Sequence, residues 1–198
     1  MRLTALAAAL SLAALAIPSG MAGVAAQAVK TSEQGGVGSQ PASVAEIVAA
    51  AGDCFKFVKH HGQIDSEGLK AAGWQFAGKE DVKGSAEMPA NATVYLGKGN
   101  VIMILRHTGL SATCQTVSKV DDIARTEEVR TGIGTALGAK PAKDYKGDDQ
   151  FKAMILSRLG PTALDTMLIS DAARFTVIGS SKDGTIVVST IMVPRILD

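Results

Sequence analysis

The sequence predicts an α+β domain: an antiparallel sheet of about five strands, made of a three-stranded meander plus a C-terminal hairpin, with helices packed on one face. Three observations predict it. A capped amphipathic helix opens the domain, a cluster of β-rich runs fills its middle, and two more β-rich runs separated by an Asp-Gly turn close it. Strands that follow one another, rather than alternating strictly with helices, argue for antiparallel pairing. No internal repeat is visible.

The first helix is announced by Ser43-Val44-Ala45-Glu46, a capping box in which Ser and Glu satisfy amides at the helix start. Behind it Val44, Ile47, Val48, Ala51, Phe55 and Val58 recur at three- and four-residue spacing and make one apolar face. Cys54 lies on that face, and the pattern runs to His60-His61-Gly62, with Gly62 as the stop. Asp65 caps a second, short helix that Gly73 closes, and Trp74, the one tryptophan, follows at once and is expected to seal the bottom of the core. The polar segment from Lys79 to Asn91 reads as a loop.

Thr93 to Leu96 and Val101 to Arg106 read as strands joined by Gly97-Lys98-Gly99-Asn100. A turn at Thr108, Gly109 and Leu110 leads to a third strand ending near Val117. Asp121 and Asp122 open a helix toward Leu137, acids being favoured at the positive end of the helix dipole, and Gly138 with Pro141 stops it. Ala139 to Gln150 reads as a loop. Phe151 to Leu159 fits neither the helical nor the strand period, and Pro161 starts a short helix through about Leu168. Arg174 to Ser181 and Thr185 to Val193 form the closing hairpin around Lys182-Asp183-Gly184.

Ahead of the domain, Arg2 precedes an apolar run from Leu3 to Ile17 that only Thr4 and Ser11 interrupt. Pro18-Ser19-Gly20 breaks it, and Ala26-Gln27-Ala28 offers small residues where a signal peptidase reads. Residues 1–28 are therefore expected to be a signal peptide, 29–42 a flexible leader in which four of fourteen residues are Gly or Pro, and 43–198 a single disulfide-stapled domain. The apolar run is about 15 residues, short of the roughly 20 that cross a bilayer, so no stable membrane insertion is expected after cleavage. The protein is expected to be periplasmic or secreted.

Export fixes the redox compartment. Cys54 and Cys114 are the only cysteines, and two cysteines in an oxidising space pair. Closing a loop of about 60 residues stabilises a domain by roughly 4 kcal/mol in the chain-entropy account. The staple would tie the first helix to the third strand.

Composition and motifs exclude several functions. A net charge of +1, with basic and acidic residues interspersed, offers no stripe for phosphate neutralisation and argues against nucleic acid. The Gly132-Ile133-Gly134-Thr135-Ala136-Leu137-Gly138 pattern resembles a dinucleotide-binding loop, but it sits at the end of a helix, where the dipole repels phosphate. No Gly-x-Ser-x-Gly elbow occurs. Acid pairs at Asp121-Asp122, Glu127-Glu128 and Asp148-Asp149 read as solvated.

The three histidines and two cysteines raise the question of a metal. With a turn at 108–110, His107 would pair with Ser111 and Ile104 with Cys114. Alternation then puts Cys114, Ala112, Ile102 and Ile104 on one face, with His107, Leu105 and Met103 on the other. A slip of one residue would return His107 to the cysteine face. His60 lies about 9 Å along the helix axis from Cys54, and His61 points about 100° away from it. Neither a metal nor another cofactor is expected. The functional expectation is an exported, non-catalytic domain that binds a partner protein or small ligand in the cell envelope; the alternative is a metal-dependent protein or enzyme using His60, His61 or His107.

Overall fold

The computed structural model describes residues 40–58, 63–77, 85–87, 93–108, 111–144, 146, 153, 166–171 and 174–192. Chain order is α1 (Val44–Phe57), β1 (Gln63–Asp65), α2 (Ser66–Ala71), β2 (Gln75–Ala77), β3 (Ser85–Glu87), β4 (Thr93–Lys98), β5 (Val101–Thr108) and β6 (Ser111–Lys119). A 3-10 turn at Ile123–Arg125 then leads into α3 (Thr126–Leu137), followed by β7 (Lys140–Pro141), β8 (Met167–Asp171), β9 (Arg174–Ser180) and β10 (Thr185–Met192).

The helix starts are where the capping residues put them. Ser43 Oγ accepts from the Glu46 amide at 3.2 Å, and the Glu46 carboxylate accepts from the Ser43 amide at 2.8 Å. Asp65 accepts from the Gly68 amide at 2.8 Å and starts α2. That glycine is sterically required, because a Cβ on it would fall 2.4 Å from Cε1 of Phe57. Two boundaries move. Helix α1 ends at Phe57, where Val58 turns extended and bridges Ile64; His60, His61 and Gly62 lie outside the described residues. Ala42, the last residue of the expected leader, is buried and its amide donates to Lys119 O at 2.7 Å, so packing begins just ahead of the capping box.

The α+β class holds, but among the described residues the main sheet has eight antiparallel strands rather than about five, in the order β2-β4-β5-β6-β10-β9-β8-β7. Two four-stranded meanders, β2-β4-β5-β6 and β7-β8-β9-β10, meet at the central β6–β10 pair. Helix α3 carries the chain from the centre to the far edge, and the second meander walks back. The added strands have physical reasons for escaping a periodicity reading. Strand β2 has three residues and β7 two, at the sheet's two edges. Such short edges, one ending in Pro141, leave little backbone for another chain to pair with. Strand β8, expected as the end of a helix, has Met167, Leu168 and Ile169 at 0%, 2% and 2% exposure, so both its faces are buried and no polar alternation marks it. A separate two-stranded sheet pairs β1 with β3, a strand inside the segment expected to be loop. Phe151 to Leu159 and the helix start at Pro161 fall almost wholly outside the described residues.

The β5–β6 register differs by one residue from the expectation. His107 lies opposite Ala112, Thr108 opposite Ser111 and Leu105 opposite Cys114. Because side chains alternate, that one step exchanges the faces. Val101, Met103 and Leu105 join Ala112 and Cys114 beneath α1, and Ile102 and Ile104 turn to the other side. The strand is apolar at every position from Val101 to Leu105, so its pattern could not choose a face.

The core is a layer between that face and the helices. Ile47, Ala50, Ala51 and Cys54 of α1 and Val129 and Ile133 of α3 meet Leu96, Met103, Leu105, Ile178, Ile186 and Val188 of the sheet. Each fully buried Leu or Ile contributes about 1.5 to 3 kcal/mol of hydrophobic stabilisation. No helix among the described residues is long and apolar enough to cross a membrane.

Candidate functional site

Cys54 and Cys114 form a disulfide with their Cα atoms 5.8 Å apart, as the sequence predicts. Cys54 reaches the sheet because it shares the buried stripe of α1 with Ile47. Cys114 sits in a row that runs Leu105, Cys114, Thr190, Thr176 across four strands. Thr190 and Thr176 hydrogen-bond to each other at 3.1 Å, so the polar part of this row is internally satisfied. The cysteines are 1% and 0% exposed. Thiol exchange requires a thiolate to reach a sulfur, and at this depth both sulfurs are shielded from one, so the bond acts as a staple.

Next to Cys54 in the chain, Asp53 gathers two partners. Trp74 Nε1 donates to Asp53 Oδ2 at 2.8 Å, and Lys98 Nζ donates to the same oxygen at 3.1 Å. The Lys98 ammonium also lies 5.7 Å from the centre of the Trp74 ring. Three separate segments are thereby tied together: the middle of α1, the chain after α2 and the end of β4. Trp74 is 2% exposed, so it closes the core and presents no stacking face to a ligand.

His107 is nearly buried and lies on the cysteine face. It shares a row with Ala112, Met192 and Arg174, positions that are opposite one another in succession across β5, β6, β10 and β9. The Arg174 guanidinium carbon stands 3.9 Å above the Phe55 ring centre, which places the end of this row beneath the C-terminal part of α1. This association joins residues more than a hundred positions apart and left no mark in the sequence. Among the described residues, no group of three or more His, Cys, Asp and Glu side chains is placed to hold a metal. His60 and His61 are outside that set.

The remaining motifs are absorbed by the scaffold. Gly132 and Gly134 lie within α3 and Gly138 ends it in the left-handed conformation at φ +60°. A Cβ on Gly132 would fall 2.7 Å from Val48 Cγ2, so the glycine permits α3 to approach α1. Asp122 caps the 3-10 turn through the Ala124 amide at 2.8 Å. Glu127 pairs with Arg130 and Glu128 with Arg125, each at 3.2 Å on the surface. Asp148 and Asp149 lie outside the described residues.

What the sequence reading missed is the second face of the sheet. Ile102, Ile104, Phe175, Ile191, Met167 and Ile169 are buried there, while Tyr95, Val117, Val177 and Val187 are half-exposed. Gln115 and Ser189 hydrogen-bond at 3.0 Å in its middle. Both long helices lie on the opposite side, against the cysteine face. The only available signal was the double-sided apolar character of β5 and β10, which an antiparallel sheet with one solvated face does not need.

No family model matches the chain, and neither a curated protein nor a solved structure matches it.

Proposed function

We propose that this is an exported domain, periplasmic or secreted, without catalysis of its own, that binds a partner protein or small ligand in the cell envelope through the sheet face turned away from α1 and α3. The observation that carries this reading is the buried Cys54–Cys114 bond at the centre of the core. Stable disulfides belong to oxidising compartments, and this one is placed where the fold depends on it. The residues with chemical potential support the non-catalytic part: both thiols are consumed by the bond, Asp53 holds Trp74 and Lys98, and the glycine pattern serves helix packing. For the binding part, the support is the row of half-exposed valines on that face, Val117, Val177 and Val187.

Retention of a binding partner from an envelope fraction by the wild type, and its loss with Val187→Lys at unchanged thermal stability, is the expected result. Equal retention by both proteins would move the binding site elsewhere.

A second reading, a metal-dependent protein or enzyme using His60, His61 or His107, is favoured by one observation: the register puts His107 on the cysteine face, the side of the sheet on which α1 packs. Metal analysis of the purified mature protein separates the two. Stoichiometric zinc or copper, lost in His107→Ala, would establish the second reading.

A further inference from the structure

We draw no further inference here: the strongest candidate, the apolar sheet face around Val117, Val177 and Val187 that α1 and α3 leave uncovered, already belongs to the proposed binding site, and nothing in the structure shows what covers it.

Discussion

Leu105 stands directly opposite Cys114 across the β5–β6 ladder, and both side chains point up at α1. That pairing sets the orientation of the whole sheet. It commits one set of alternate residues to the helical core and leaves the other set to the second face.

Leu105 and Val187, on opposite faces, differ in what they tolerate because one is buried and the other half-exposed. Leu105→Ala removes a fully buried side chain from beneath α1 and is expected to cost about 2 to 5 kcal/mol in a denaturant titration, the usual range for a core leucine. Val187→Thr, at a half-exposed position of the other face, is expected to cost less than about 1 kcal/mol. Equal costs would mean that Leu105 is not packed beneath α1 as described.

The Asp53 cluster can be read by fluorescence, since Trp74 is the sole tryptophan. Asp53→Ala leaves the buried indole N–H without its acceptor and is expected to cost about 1 to 3 kcal/mol. The emission maximum should move to longer wavelength as water reaches the ring. Lys98→Met removes only a half-exposed charge and should disturb both readouts much less.

Gly132→Ala sets two effects against each other. Alanine improves helix propensity by up to about 1 kcal/mol, but the new methyl collides with Val48 at a place where α1 and α3 touch. Overpacking of this kind costs about 1 to 3 kcal/mol, so net destabilisation is expected. Val48→Ala in the same chain should relieve it, giving a favourable coupling in a double-mutant cycle. Additive losses would show that the two helices do not meet there.

Two carboxylates should weaken the fold in acid. Hydrogen bonds from the Ser43 amide and hydroxyl hold Glu46 below its ordinary value of 4.5, and Asp183 is pulled from 3.8 to about 2 by Ser181 and Thr185. A depressed folded-state value means the stabilising contribution is complete above the ordinary value and disappears as pH falls through the lower one. Stability measured from pH 5 down to about 2 should therefore decline. Glu46→Gln and Asp183→Asn should each flatten that decline while lowering stability at pH 7. An unchanged acid profile in both variants would mean these bonds do not form in solution.

Much of the fold was legible because its signals are local. Ser43 with Glu46, Asp65, Gly73, Gly138 and the Asp183-Gly184 turn each act on the backbone within a few residues, and each marks its element where expected. The staple was legible because only two cysteines exist and one lies on a helical stripe that must be buried. The strand count and register were not. Edge strands β2 and β7 are held by neighbours remote in sequence, and β5 and β8 are apolar on both sides, so alternation carries no information about which side is the core. For the same reason the second face, the proposed binding surface, stayed hidden: it exists only once β4, β5, β6, β10, β9 and β8 are laid side by side. The Phe55–Arg174 stack and the position of His107 depend on that same assembly.

The most direct test of the account is thiol titration combined with intact mass on the protein recovered from its native compartment. The expected result is a chain beginning at Val29, found outside the cytoplasm, with no thiol reacting even after denaturation. A full-length chain in the cytoplasm with two reactive thiols, still folded as described, would contradict it.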